Sequence, residues 1–188
     1  MTTTSATRYD PVAVALHWTI AIAIIIMIPF GLLLEDIPKE LQGTAYGLHK
    51  SIGITILVLS VFRLVWRLLN PPPALPEGMK PLERTLAKAG HWAFYVLMIG
   101  MPLTGWLLVS AAQKYPTVFF WMAEVPYLPL PQGMVNKEFA EMFSEYHELL
   151  AYGTLALLVL HVGAALKHHL VYKDNVLTRM LPLWAQKR

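Results

Sequence analysis

The sequence predicts an all-α protein, a transmembrane four-helix bundle with both termini on the cytoplasmic side. Three observations predict it. Of 188 residues, 56% are hydrophobic and 14% charged, against about 25% charged in an ordinary soluble domain. Four long apolar runs each approach the roughly 20 residues that a helix needs to cross about 30 Å of hydrocarbon. The basic residues gather on one side of those runs. This composition argues against a nucleic-acid binder, a solenoid or a disordered polar domain. There is no cysteine, which excludes disulfides, Cys-ligated clusters, thiolate nucleophiles and covalently attached haem.

The first run, 12–34, has 23 residues without Asp, Glu, Lys or Arg; the third, 89–112, has 24; the last, 149–166, has 18. The second, 47–69, is interrupted by Lys50, Arg63 and Arg67, which fall near its ends and can snorkel to the headgroups. Backbone amides in hydrocarbon must bond internally, so each run is a helix. The expected spans are about 12–34, 47–69, 89–112 and 137–169, within a single domain 1–188. Pro29 and Pro102 are expected to kink the first and third. The leader before Pro11 has one basic residue, and the first run exceeds a signal-peptide core, so it reads as a span.

Four spans put both termini and the 63–90 connection on one side. That side holds eleven Lys and Arg against four Asp and Glu; the other holds four against eight. The positive-inside rule makes the first side cytoplasmic. There, 70–76 is a stiff, Pro-rich linker. On the opposite side, 113–135 is rich in Pro and aromatics and is expected to lie along the membrane surface. Asn136 reads as an N-cap, with Phe139, Met142, Phe143 and Tyr146 following at helical spacing. Tyr172, Leu177, Leu181 and Trp184, among basic residues, read as an interfacial anchor.

Seven histidines carry the chemistry. An ionisable residue inside a span points to function. His147 and His161 are 14 residues apart, so they share a helix face to within about 40° and stand roughly 21 Å apart along the axis. His49 supplies a partner near the outer level and His17 near the inner. Two imidazoles from facing helices at each of two levels suit bis-histidine haem, an apolar disc seated between helices. Without cysteine it is noncovalent, so the cofactors are two haems b. Gly43, Gly47, Gly53, Gly100 and Gly105 leave room for ring or helix approach. Lys50 outside, and Arg63 or Arg67 inside, are candidate partners for the haem propionates. Zinc suits two separated pairs poorly, because it favours three or four ligands. A His-lined proton channel or non-redox transporter is a further alternative.

The sequence resembles the bacterial cytochrome b561 family, small four-helix di-haem cytochromes. The matching pieces are Arg8-Tyr-Asp-Pro and Leu16-His-Trp, then Leu48-His-Lys-Ser-Ile-Gly with Arg63-Leu-Val-Trp-Arg. Ala89-Gly-His, Tyr146-His-Glu, His161, His168-His, Lys173-Asp-Asn and Arg179-Met-Leu-Pro complete the likeness. It covers nearly the whole chain and departs in 113–135. The resemblance implies an inner-membrane location, His17 paired with His161 and His49 with His147 on iron, and electron transfer between an outer donor and ubiquinone. Superoxide is the favoured donor, because some members resemble superoxide oxidases; other members serve periplasmic redox proteins or dehydrogenases. The net acidic outer face argues against an anionic substrate unless its lysines cluster at the outer site. A quinone site is expected at the inner end, with His168, His169 and Lys173 on the last helix and His91 opposite. His91, at the start of the third helix, is the rival inner ligand.

Overall fold

The structure is a computed structural model, described here for residues 8–76 and 78–182. Four long helices dominate: α1 (Pro11–Leu32), α2 (Lys39–Leu69), α3 (Pro81–Ala112) and α4 (Lys137–Lys167). All four are long and apolar enough to cross a membrane. Large apolar side chains such as Ile22, Ile25, Ile26, Val58, Val159 and Leu160 lie exposed around the bundle. Helices with apolar outer faces belong in lipid, where such exposure costs nothing. The chain is a multi-pass membrane protein.

Each helix start has a local cause. Asp10 caps α1, its carboxylate accepting from the amides of Val12 (2.8 Å) and Ala13 (3.3 Å), while Pro11 needs no amide partner. Pro81 opens α3 in the same way. Asn136 caps α4 by accepting from the Phe139 amide at 3.0 Å, as its place before the helical pattern predicts. Two spans are longer than their apolar runs. α2 begins at Lys39 instead of 47, and α3 at Pro81 instead of 89. The charge-free runs mark the hydrocarbon, and the helices project beyond it in polar turns. Pro29 and Pro102 lie within continuous helices.

α1 packs on α2, α2 on α3, and α3 on α4. The mid-bundle core joins Ile20, Ile24, Met27 and Ile28 of α1 with Ile56 of α2 and Tyr95 and Met98 of α3. A second cluster, Ala111, Ala140 and Phe143, closes the α3–α4 end. Lys167 bridges to Glu83 at 3.0 Å, and the Tyr172 hydroxyl donates to the same carboxylate at 2.8 Å.

The connection 113–135, expected along the membrane surface, has a fold of its own. It forms a small antiparallel hairpin, β1 (Thr117–Phe119) and β2 (Ala123–Val125), folded onto the helix ends. Its turn puts Phe120 and Trp121 at φ 44° and 60°, a left-handed conformation that costs a non-glycine residue about 1 kcal/mol or more. Buried serines hold it there. Ser51 Oγ accepts from the Phe120 amide and Ser110 Oγ from the Leu128 amide, both at 2.9 Å, while Trp106 donates to the Pro126 carbonyl at 2.9 Å. These bonds satisfy backbone groups that an open surface segment would leave to water.

After α4 the chain widens into a π turn, His168–Tyr172, and leaves it at Lys173 with φ 52°. The tail then crosses the same end of the bundle. The Trp18 indole donates to the Met180 carbonyl at 2.8 Å, and Arg179 to the Ala74 carbonyl at 2.6 Å. Of the anchor residues expected here, Tyr172 is exposed, Leu177 and Leu181 are half-buried, and Trp184 lies outside the described residues.

Candidate functional site: two histidine pairs at opposite ends

The bundle brings the histidines together at two levels. At the hairpin end, the rings of His49 (α2) and His147 (α4) have centroids 6.0 Å apart. At the termini end, those of His17 (α1) and His161 (α4) are 6.2 Å apart. α4 supplies one ring to each pair. All four side chains are half-buried. A separation near 6 Å leaves room for a metal between two imidazoles, each at a bond length of about 2 Å.

Three observations bear on whether these pairs fit haem iron. First, His147 Nδ1 lies 2.8 Å from the Met101 carbonyl. A carbonyl only accepts, so Nδ1 carries the proton and Nε2 keeps its lone pair, the tautomer of a metal-ligating histidine. Thr104 Oγ1, at 3.3 Å, adds to that support. Second, His49 Nδ1 is buried without a hydrogen-bond partner. Third, glycines face the two rings. A Cβ on Gly31 would lie 2.9 Å from His49 Cε1, and one on Gly105 would lie 3.1 Å from His147 Cε1. Gly105 is among the glycines singled out from sequence; Gly31 is not. Of the others, Gly43 and Gly53 face open space, Gly47 lies beneath the Trp121 ring and Gly100 meets Leu150. Among the described residues no carboxylate is bonded to either pair, and no group of three or more His, Asp or Glu able to hold a metal ion occurs. Two neutral donors at each level suit a metal whose other ligands come from a macrocycle.

The termini-end pair has a richer setting. Arg63 Nη1 lies 3.0 Å from His17 Nδ1. A guanidinium only donates, so Nδ1 accepts and the proton of the neutral ring rests on Nε2. The His17 ring must therefore turn, or the Arg63 bond part, before Nε2 can ligate. Arg63 thus sits on an imidazole. His91 joins this cluster, its ring 6.1 Å from that of His161, and Phe94 packs edge-on to His161 at 5.1 Å. Because α3 starts at Pro81, His91 stands nearly three turns inside it and not at its start.

The remaining expected residues are separated. Lys50 Nζ donates to the carbonyls of Pro116 (2.9 Å) and Tyr115 (3.4 Å), holding the hairpin base beside His49. Lys114 Nζ lies over the Tyr115 ring, 5.3 Å from its centroid. Lys50 and Lys114 thus both contact Tyr115, one at its carbonyl and the other at its ring, while Lys137 is paired with Glu141 at 3.1 Å. Arg67 lies beside the Tyr95 ring, 5.8 Å from its centroid. His168 Nδ1 meets Asp174 Oδ2 at 2.5 Å, and His169 and Lys173 are exposed. No hydrogen bond links His91 to His168, His169 or Lys173 among the described residues.

Comparison with known proteins places the chain among membrane cytochromes. The family described as prokaryotic cytochrome b561 matches residues 8–183. "Cytochrome b561 homolog 2" of Escherichia coli K12 is 35% identical over 95% of this chain and 94% of its own length. "Probable superoxide oxidase CybB" of Yersinia pestis is 33% identical, over 93% of this chain and 96% of its own. "Cytochrome b561 homolog 1" of Escherichia coli K12 is 27% identical, over 93% and 97%.

Proposed function

The chain belongs to the prokaryotic cytochrome b561 family, and from that premise we propose that it transfers electrons from a periplasmic donor, superoxide, to membrane ubiquinone through two noncovalent haems b. The observation that carries this reading is the pairing of imidazoles at two levels, with centroids 6.0 and 6.2 Å apart. His49 and His147 would hold one iron, and His17 and His161 the other. When bound, a bis-imidazole haem supplies a one-electron carrier cycling between ferric and ferrous iron.

The overall reaction takes one electron from each of two superoxide ions. With two protons, these reduce one quinone to quinol and release two molecules of dioxygen. The chain's own residues would serve it in three ways. The Met101 carbonyl fixes the His147 tautomer and ring direction. Lys50, next to His49 in the chain, and Lys114, at the hairpin base that Lys50 holds, would supply positive charge at the hairpin end, where an anion would be drawn in. His168, His169 and Lys173, with His91 across the end, offer hydrogen-bond donors and a proton route to a quinone head. By the excess of Lys and Arg there, the termini end faces the cytoplasm of a bacterial inner membrane.

A second reading has its own support. The hairpin end carries eight Asp and Glu against four Lys, and Tyr115, Trp121, Met122 and Tyr146 are exposed there. That surface suits a basic soluble redox protein as donor. The deciding experiment adds superoxide to purified protein, with and without a quinone analogue, and follows haem absorption. Rapid reduction that is drained by quinone supports the superoxide reading. No reduction overturns it and leaves the docking reading ahead. Absence of a haem spectrum overturns both.

A further inference from the structure

α3 seats the His147 ring with three residues of one face, Met101, Thr104 and Gly105, spaced as neighbours on a helix surface. Gly105 lets the ring approach, since a Cβ there would lie 3.1 Å from Cε1 and 3.2 Å from Nδ1. The Met101 carbonyl accepts from Nδ1–H at 2.8 Å. The same carbonyl oxygen accepts a second bond, from the Thr104 hydroxyl at 2.7 Å. The hydroxyls of Ser51, Thr55, Ser110 and Thr154 each donate to the carbonyl four residues back in their helices. Thr104 instead takes the carbonyl three residues back, the one that holds the imidazole. Its hydrogen is thereby committed, so its oxygen faces the imidazole N–H, at 3.3 Å, only as a second and longer acceptor. The facing ring lacks such support, because His49 Nδ1 is buried without a hydrogen-bond partner. Hydrogen bonding to the outer pair therefore falls on His147.

An imidazole N–H that donates strongly leaves more electron density on the opposite nitrogen, and a more basic ligand favours ferric over ferrous iron. A carbonyl oxygen that already takes a hydroxyl proton has less density left for an imidazole. We propose that Thr104 is a positioning residue acting through Met101 and His147: by sharing the carbonyl it moderates the pull on Nδ1–H and raises the reduction potential of the hairpin-end haem. This rests on the haem reading above and deepens it, naming the residue that sets how readily the electron-receiving end is reduced. Two effects of Thr104 oppose each other, and distance decides between them. Its donation to the carbonyl, at 2.7 Å, weakens the imidazole bond, while its acceptance from the imidazole, at 3.3 Å, adds to the pull. The shorter bond is the stronger, so the first effect wins.

The test uses full-length holoprotein. Thr104→Val keeps the branched shape and removes the hydroxyl; Thr104→Ser keeps the hydroxyl. Spectroelectrochemical titration is expected to show the hairpin-end potential lowered in Thr104→Val by about 30 mV, roughly a threefold change in the ferric-to-ferrous ratio at about 59 mV per tenfold. Thr104→Ser is expected to restore it, and the inner haem, unchanged throughout, serves as reference. In reduced protein carrying nitrogen-15 histidine, the Nδ1–H proton resonance of His147 is expected to move downfield in Thr104→Val, as a stronger hydrogen bond requires. An unchanged or raised hairpin-end potential in Thr104→Val, or an equal fall in Thr104→Ser, would overturn the inference. If Thr104→Val sheds that haem, Thr104→Ala is titrated against the same outcomes. Wild-type protein without haem, or full haem retention in His147→Ala, would overturn the underlying reading instead.

Discussion

Gly31 of α1 stands directly against the ring of His49 on α2, so close that a Cβ at position 31 would lie 2.9 Å from Cε1. That is inside van der Waals contact, and the imidazole would have to move. A histidine that is to hold haem iron would have little freedom to do so, since its ring direction would set where the metal is held. Gly31→Ala is expected to lower haem content from two per chain to one, or to leave a hairpin-end haem with altered absorption. Gly43→Ala, whose Cβ meets nothing within 4 Å, is expected to retain both. Pyridine haemochrome analysis of the purified variants checks both outcomes.

His147→Ala is expected to remove only the hairpin-end haem and His161→Ala only the other. The two rings belong to separate pairs on the same helix. The double variant is expected to be colourless. Full haem retention in the double variant would show that the pairs are not the ligands. Retention of the inner haem in His17→Ala would make His91, 6.1 Å from His161, the working ligand.

Arg63 places a positive charge on His17, which disfavours ferric iron beside it. Arg63→Gln is expected to lower the midpoint potential of the inner haem by on the order of 50 mV, about 1 kcal/mol of screened electrostatics. The outer haem is expected to stay where it was. Spectroelectrochemical titration resolves the two. An unchanged inner potential would mean that Arg63 turns away when haem is bound.

Asp174 lies beyond α4, and its carboxyl is held below the usual range. Burial pushes it up, but the hydrogen bonds from His168 and the Val176 amide outweigh burial and bring it down. A lowered carboxyl contributes stability above its unfolded value, near 3.8, and loses it as pH falls through the folded value. Asp174→Asn is therefore expected to flatten the acid limb of the thermal-stability profile below about pH 4. At neutral pH its effect should stay within about 1 kcal/mol, because the pair is partly solvated. If the quinone site lies at this end, His168→Ala in protein retaining both haems will slow quinone reduction while superoxide still reduces haem. A wild-type rate would remove His168 from that role.

Lys50 and Lys114 are expected to act on the donor through charge. Lys50→Gln with Lys114→Gln should slow reduction by superoxide roughly tenfold at low ionic strength, with the difference shrinking as salt is added. Salt-independent rates in wild type would argue against electrostatic steering and for the docking reading.

Much of this was legible in the sequence because it depends on spacing along one helix. The 14-residue interval between His147 and His161 places two rings on one face, and charge-free runs mark what lies in hydrocarbon. Features made between elements were not legible. Gly31 meets His49 only once α1 and α2 pack, and nothing local to Gly31 marks it. The helical turns between Pro81 and Lys88 are polar, so they hid the true start of α3 and the depth of His91. The three-residue strands of the hairpin are too short for a periodic signal, and buried Ser51 and Ser110 look like ordinary small residues of a span until a backbone amide arrives beside each. His168 meets Asp174 because a π turn brings the chain round, which an α-helical reading of 137–169 does not foresee.

That α4 gives one ring to each pair has a consequence for biosynthesis. The chain emerges N-terminus first, and His17, His49 and His91 all enter the membrane without a partner. Neither pair can close until the last helix has left the ribosome. If each pair holds a haem, as proposed, both cofactors would be captured late, by a nearly finished polypeptide, and a product truncated before His147 would hold neither. Cofactor supply then acts as a checkpoint on the completed chain, and starvation for haem should accumulate full-length, colourless protein instead of half-loaded intermediates stalled in assembly.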